Sequence, residues 1–254
     1  MRRNVLGINI DDVSEKEALE IVSKWFLETR TQNPEPRLIF TPGPEFLLTA
    51  QKDLDFKKIL NAGDLLVPDG FGLQLYCGIK NRVAGVDLVL ALCQMATEKG
   101  WTVGMIGNPN TKKAAEKLLE KFPKLKIIFA LDNPEADQIL SGCETVRSIM
   151  KGNDMVDLLF VGIGHPKQEK FLWQIKNGKL KTKNLCVAMG VGGSFDLISG
   201  NLPRAPKIFR VVGLEWFWRM ATKPGHIKRG LQASLEFPIV YLLSCFRGQV
   251  RSGH

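Results

Sequence analysis

Residues 156–171 read VDLLFVGIGHPKQEKF, and this stretch decides which fold class the chain adopts. Its first seven residues are apolar except for one aspartate, as in a parallel strand that is buried on both faces. A glycine-rich turn follows, and helical spacing begins near residue 167. A buried strand, a glycine-rich turn and a helix together form the repeating unit of an α/β protein.

The same alternation extends over the first 190 residues. Apolar runs predict strands at 4–10, 37–41, 65–68, 101–107, 126–130, 156–162 and 184–190. Helical spacing lies between them, at 14–30, 85–99, 111–121, 134–150 and 167–175, and another helix begins near Pro44. The fold class predicted is therefore α/β, with a mainly parallel, Rossmann-like sheet covered by helices.

The pattern changes after residue 200, so we expect an α/β core at 1–201 and a helical appendage at 202–254. From Arg204 onward there are nine Lys and Arg residues but only two acidic residues, within a chain whose net charge is +9. Aromatic residues alternate with these cations, which suits the anionic, partly apolar surface of a phospholipid leaflet. RNA binding, a subunit interface and a solvated basic helix pair are the alternatives.

Composition excludes several classes of protein. No stretch approaches the roughly 18 apolar residues that a membrane-spanning helix requires, and the N-terminus resembles neither a signal peptide nor an anchor. The five cysteines are dispersed without CxxC spacing, which fits a reducing cytosol. With three histidines, a histidine-rich metal site is not expected.

Ligands of open parallel sheets bind at the carboxyl ends of the strands, where this sequence carries unusual loops. Thr41 and Gly43 lie in TPGPE, which precedes a helix and suits either an anion or a rigid turn. Asp69 in PDG ends an apolar strand, where it suits a general base or a helix cap.

Three further loops lie at the same predicted edge. Gly107 and Asn108 open GNPNT, which lacks the glycine fingerprint of dinucleotide sites and the lysine of a P-loop. In GIGHPKQE, Gly164 permits close approach of the backbone, and Lys167 and Gln168 begin a helix, an arrangement that suits a diphosphate. The run GVGGSFD places Gly193 and Asp196 where sugar hydroxyls would be contacted or a helix capped.

Taken together, these loops resemble the TagA/WecG family of glycosyltransferases, glycosyltransferase family 26. The resemblance covers about residues 4–229. Its motifs follow the family's order: TPGPEF, PDGFG, Arg82 with AGVDL, GNPN, GIGHPKQE, GVGGSFD, NLPRAP and GLEWFWR.

The resemblance implies an inverting transfer of N-acetylmannosamine, or a related sugar such as its uronic acid, from a UDP donor. The acceptor would be N-acetylglucosamine on undecaprenyl diphosphate, in teichoic acid linkage-unit or surface polysaccharide synthesis. It also implies peripheral association with the inner face of the cell membrane through the appendage. A homo-oligomer remains possible, and no nucleic acid partner is expected. The alternative is a non-catalytic module that binds nucleotide or lipid at the membrane.

Carried over by position, the resemblance implies Asp69 as the base and Thr41 as a substrate-positioning residue. The donor would be bound by Gly43, Arg82, Asp87, Gly107, Asn108, Gly164, Lys167, Gln168, Gly193 and Asp196. The lipid diphosphate would be bound by Arg204, Arg210, Arg219, Lys223 and Arg229. No DxD motif stands where a metal-bridged diphosphate would bind, so transfer without a metal cofactor is predicted.

Overall fold

The computed structural model describes residues 1–32, 35–132, 156–178, 185–206, 209, 218 and 232–246. The strands are β1 (Arg2–Val5), β2 (Ile8–Asp11), β3 (Arg37–Phe40), β4 (Leu65–Leu66), β5 (Thr102–Gly107), β6 (Lys126–Asp132), β7 (Leu158–Gly162) and β8 (Val187–Gly190). The helices are α1 (Glu15–Gln32), α2 (Pro44–Lys52), α3 (Leu54–Asn61), α4 (Phe71–Cys77), α5 (Gly85–Lys99), α6 (Thr111–Lys121), α7 (Lys167–Lys176), α8 (Ser194–Ile198) and α9 (Phe237–Phe246), with a π-helical turn at Gln232–Glu236.

Six of these strands form one parallel sheet in the order β4-β3-β8-β7-β5-β6. Alternate side chains of the strands enter two apolar layers. Phe40 and Leu159 lie in the layer with α2, α3 and α7, whereas Ile39 and Phe160 lie in the layer with α1, α5 and α6. Burial on both faces explains why the inner strands β3, β5, β7 and β8 are apolar nearly throughout. The prediction of a parallel α/β sheet covered by helices is confirmed.

The predicted strand at 4–10 was wrong, because this segment folds as a hairpin outside the main sheet. Strands β1 and β2 pair antiparallel, and Leu6 and Gly7 form the turn with φ values of 54° and 79°. Glycine adopts positive φ at little cost, so Gly7 allows the chain to reverse. Ile8 and Ile10 are fully buried, which anchors the hairpin on the core.

Asp11 and Asp12, at the end of the hairpin, attach it to the edge strand β4 and to the loop after α4. Asp11 accepts the Leu66 N–H at 2.9 Å and is largely buried. Asp12 accepts the backbone N–H groups of Lys80 and Asn81 at 3.1 and 2.9 Å. Burial alone would raise the pKa of Asp12, but these donors hold it below its usual value.

Most predicted helices agree closely with the structure, and the sequence pattern gave no bounds for three short ones, α3, α4 and α8. Helices α5 and α6 have the predicted bounds, whereas the sequence pattern did not separate α3 or α4 from their surroundings. The predicted helix at 134–150 and most of the appendage lie outside the described residues. Among the helices that the structure describes, none combines the length and apolar character needed to cross a membrane.

The described end of the appendage packs against α2 and α4. Phe237 is fully buried, lies edge-on to Tyr76 with ring centroids 6.5 Å apart, and stacks on Tyr241 at 6.1 Å. Glu236 pairs with Lys52 at 2.8 Å. One face of α9 is therefore fixed to the core, while its other face carries exposed apolar side chains.

Candidate functional site

Three polar side chains from different segments converge on Gly85, the first residue of α5. A Cβ atom added to Gly85 would lie 3.4 Å from Thr41 Oγ1, 3.6 Å from Asp69 Oδ2 and 3.7 Å from Ser194 Oγ. Thr41 follows β3, Asp69 follows β4 and Ser194 begins α8 after β8, so all three lie at the carboxyl edge of neighbouring strands. The structure therefore brings together the two predicted catalytic residues and adds a second hydroxyl.

The position of Asp69 follows from the packing of its loop. Its N–H donates to Pro42 O at 3.1 Å. Gly70, at φ 103°, lies against the Pro44 ring, since an added Cβ would approach Cδ to 2.9 Å. This close approach joins the TPGPE and PDG loops and aims Asp69 toward α5.

Asp69 does not cap the next helix, which was the structural alternative to a catalytic role. Helix α4 begins after Gly70 without a side-chain cap, whereas Asp69 Oδ2 accepts the Gly85 N–H at 3.2 Å. The N-terminus of α5 thus presents an N–H and its dipole to the carboxylate. Thr41 likewise caps no helix, because the cap of α2 is Gly43.

A second group of polar contacts lies at the start of α7, where Gln168 and Glu169 are both buried. Gln168 Nε2 donates to Glu169 Oε1 at 2.7 Å, and Gln168 Oε1 accepts the Gly192 N–H at 3.0 Å. Burial raises the pKa of Glu169 from 4.5 to about 8 although the Gln168 amide opposes this. Gln168 therefore binds protein groups through both ends of its amide and holds the loop after β8.

The glycines at the ends of β5 and β7 make room for Phe195. Added Cβ atoms on Gly107 and Gly162 would approach its ring to 2.6 and 2.7 Å. Asp196, one residue further, accepts the side-chain amides of Asn108 and Asn110 at 2.9 and 2.6 Å. Asn108 and Asp196, predicted to contact the donor, thus bind each other and join the loops after β5 and β8.

The remaining predicted donor residues are distributed along the same edge. Arg204 donates to both carboxylate oxygens of Asp87 at 2.5 Å, and its Nε is buried without a hydrogen-bond partner. Arg82 is half-buried and follows the loop that Asp12 holds, whereas Lys167 is exposed at the start of α7. Gly164, at φ 85°, has open space where a side chain would stand.

The other four predicted lipid-diphosphate residues cannot be placed. They are Arg210, Arg219, Lys223 and Arg229, which all lie outside the described residues. Over the ranges that the structure describes, no three His, Cys, Asp or Glu side chains come together as a metal site would require.

Sequence reasoning missed two residues of this edge, Ser194 and Glu169. Ser194 follows a glycine run at the start of a helix, a place where a buried hydroxyl can be brought to a ligand. Glu169 stands on the buried side of α7 between Gln168 and Phe171, where helical spacing places apolar residues. An acidic residue at a helix position where apolar residues are expected was the sequence signal that could have identified Glu169.

Similarity to known proteins was found over nearly the whole chain. The sequence pattern of the "Glycosyl transferase WecG/TagA/CpsF family" matches residues 3–251. A protein of Bacillus subtilis (strain 168) is 32% identical over 201 residues, covering 76% of this chain and 75% of the relative. A Bacillus spizizenii protein is 30% identical, covering 88% and 86%. A Staphylococcus aureus (strain NCTC 8325 / PS 47) protein is 28% identical, covering 85% and 83%.

All three relatives are named "N-acetylglucosaminyldiphosphoundecaprenol N-acetyl-beta-D-mannosaminyltransferase". The matched region includes every strand-end loop described above, and the motifs of those loops build one continuous edge of the sheet. The chain belongs to the WecG/TagA/CpsF family of glycosyl transferases.

Proposed function

We propose that this enzyme transfers N-acetylmannosamine, or a closely related sugar, from a UDP donor to N-acetylglucosamine on undecaprenyl diphosphate, with inversion at the anomeric carbon. The names of the relatives support the sugar and the acceptor. The product would serve a teichoic acid linkage unit or another surface polysaccharide. Donor identity, inversion and the roles of individual residues are parts of the proposal.

The convergence of Thr41, Asp69 and Ser194 on Gly85 carries this proposal. Asp69 takes the proton from the acceptor hydroxyl as that oxygen forms its bond to the anomeric carbon of the donor. The bond from the anomeric carbon to the UDP oxygen breaks, and UDP leaves with the electron pair. The two hydroxyls orient the reacting sugars, because each can both donate and accept a hydrogen bond.

The leaving diphosphate needs positive charge and N–H donors. Exposed Lys167 and the N-terminus of α7 offer both, beside the open backbone at Gly164. Arg82 and the loop after Gly107 complete the donor side in this proposal, which includes no metal cofactor. Gly43, Asp87 and Gly193 border the same edge of the sheet.

We further propose that the appendage, from about residue 202, lies on the inner membrane surface and brings cations to the lipid diphosphate. The outer face of α9 and of the π-helical turn before it supports this, since Leu235, Ile239, Leu242, Leu243 and Phe246 are 51–88% exposed. Leu75 on neighbouring α4 is also 57% exposed. Apolar side chains beside a basic segment match peripheral, reversible binding to anionic lipid.

The first experiment measures UDP release from UDP-N-acetylmannosamine with a short-chain lipid-diphosphate N-acetylglucosamine acceptor. Release should require both substrates and should be lost in Asp69→Asn. Asp55→Asn is the matched control, because Asp55 is exposed on α3, away from the strand ends, and pairs with Lys58 at 3.3 Å. Binding of substrates without release from any UDP-sugar would favour the non-catalytic module instead.

The membrane proposal has a separate test. Full-length protein should float with vesicles containing anionic phospholipid, and Leu242→Glu with Leu243→Glu should weaken that binding. Leu27→Glu is the control, because Leu27 is an exposed leucine of α1, at 72% against 51% for Leu242 and Leu243, and lies outside the α9 surface. Equal flotation of both variants would contradict the assignment of the α9 face to the membrane.

A further inference from the structure

Glu169 is a fully buried acidic residue at this edge, and the proposed reaction gives its carboxyl group no role. Its side chain is 0% exposed, and Oε2 is buried without a hydrogen-bond partner. Burying an ionised carboxylate costs several kcal/mol unless charges or donors compensate, so a buried glutamate kept in a helix needs an explanation.

The contacts of Glu169 lead directly to the loop that carries Ser194. Its Oε1 accepts from Gln168 Nε2 at 2.7 Å, which fixes the rotation of the Gln168 amide. Gln168 Oε1 therefore faces the Gly192 N–H, at 3.0 Å. Two residues later, Ser194 begins α8 beside Asp69. One row of hydrogen bonds thus connects α7 with the turn between β8 and α8.

The backbone at the end of β8 accommodates this pair closely. A Cβ atom on Gly190 would meet Gln168 Nε2 at 2.9 Å and Glu169 Oε1 at 3.2 Å. The Gln168–Glu169 pair therefore fills the space that a side chain at position 190 would need. Such contact leaves the amide of Gln168 few alternative rotations.

We propose that Glu169 is a positioning residue: its buried carboxyl group fixes the rotation of the Gln168 amide, which accepts the Gly192 N–H, and so keeps Ser194 near Gly85, where Asp69 also lies. The functional consequence rests on the proposed transferase reaction. The structural part does not, because it concerns the order of the loop between β8 and α8.

The surroundings of Glu169 favour the uncharged form. Burial raises its pKa to about 8, and among the described residues its carboxyl group accepts from one side chain, the uncharged amide of Gln168. The charged residues on and around α7 pair elsewhere: Lys170 with Asp53 at 2.8 Å, and Lys176 with Asp64 at 2.5 Å. The strands beneath α7, namely β3, β7 and β8, contribute apolar side chains and, at the start of β3, Arg37, which pairs with Asp64 at 3.0 Å.

Two other titratable groups lie near the start of α7. They are His165, which stacks on Phe46 with ring centroids 4.6 Å apart, and exposed Lys167. Ionisation of Glu169 would draw its carboxylate toward water, and this movement would release Gln168 and the loop. Glu169→Gln removes the titration of Glu169 and leaves those of His165 and Lys167. Any pH effect that this variant abolishes is therefore due to Glu169.

Hydrogen exchange of the full-length protein tests the proposal, read by mass spectrometry on a peptide that spans 190–194. In Glu169→Ala, exchange of this peptide should accelerate about tenfold, as expected when one hydrogen bond of about 1.4 kcal/mol is lost. Glu169→Gln should restore protection, because an amide oxygen can accept from Gln168. Glu116→Gln, an exposed change on α6, should alter nothing.

The pH dependence of exchange gives a second measurement that needs no destabilised variant. In the wild-type protein, protection of 190–194 relative to a β5 peptide should fall as pH passes about 8, and Glu169→Gln should abolish that fall. Unchanged exchange in Glu169→Ala, or equal loss in Glu169→Gln, overturns the proposal. If Glu169→Ala also loses protection in β5, the variant is destabilised as a whole. The pH series on the wild-type protein then decides whether Glu169 holds the 190–194 loop. Absence of sugar transfer by the wild-type protein would count against the proposed function and would leave the exchange result for Glu169 intact.

Discussion

Two acidic side chains at the same edge of the sheet have opposite surroundings. Asp69 is partly exposed and accepts an N–H at the start of α5. Glu169 is fully buried, has a side-chain amide as its donor and has a pKa raised to about 8. Solvent and a helix N-terminus stabilise a carboxylate, whereas an apolar layer favours a neutral acid. The comparison shows that one sheet edge can place one carboxyl group at a partly exposed helix N-terminus and bury another in an apolar layer.

The largest expected effect comes from replacing Asp69, the acid on the open side. Asp69→Asn should lower kcat by about 10²–10⁴-fold, because general-base catalysis typically contributes that much. Steady-state UDP release measures the change. The same carboxyl-to-amide change at Glu169 should cost far less, and a similar loss at both positions would break the proposed division of roles.

The next effect concerns the stability contributed by the neutral acid. The folded-state pKa of Glu169 is raised from 4.5 to about 8, so the folded state binds its proton more tightly than the unfolded chain. Its contribution is complete below pH 4.5 and is lost as pH rises to 8, by up to about 1.4 kcal/mol per pH unit. Urea unfolding measures the free energy of unfolding at each pH. Between pH 4.5 and 8 this free energy should change less with pH in Glu169→Gln than in the wild type.

A smaller effect is expected where the backbone meets the Gln168–Glu169 pair. Gly190→Ala should reduce the free energy of unfolding by about 1–3 kcal/mol, because its Cβ would overpack the pair. Gly193→Ala is the matched control: its φ is −84°, and its Cβ would come no closer than 4.0 Å to Asp196. Equal melting temperatures for the two variants would show that the pair adapts to an added methyl group.

The smallest effect sharpens the Asp69 side of the comparison. Ser194→Ala should lower kcat/KM by about three- to tenfold, the value of one hydrogen bond of roughly 0.5–1.5 kcal/mol. Ser23→Ala is the control for loss of a hydroxyl elsewhere, because Ser23 is a half-buried serine on α1. An unchanged kcat/KM would mean that Ser194 borders the site without binding either sugar.

Much of the fold was predictable because its signals are local. Apolar runs identified the six strands of the parallel sheet, and helical spacing gave the bounds of α5 and α6. The hairpin was missed because its turn, Leu6 and Gly7, interrupts a run that is otherwise apolar enough for one strand. Helix α4 was missed because seven residues hold too few turns to show a period.

The candidate site was predictable only in part. Thr41 follows β3 directly and Asp69 comes shortly after β4, so the rule that ligands bind at carboxyl ends predicted both for the edge where the structure brings them together. The sequence also indicated Gln168, but not that both ends of its amide bind protein groups. Asp87 was expected to bind the donor, and its pairing with Arg204 joins residues far apart in the chain.

The sequence by itself determined the fold class, the loops that border the site and the family to which the enzyme belongs. Those properties depend on residue periodicity and on short motifs, which are local. Only the tertiary structure placed Ser194 beside Asp69 and buried Glu169, because the sheet order inserts β8 between β3 and β7. Strand order depends on long-range packing of whole layers, and burial then decides whether a carboxyl group in those layers keeps its charge.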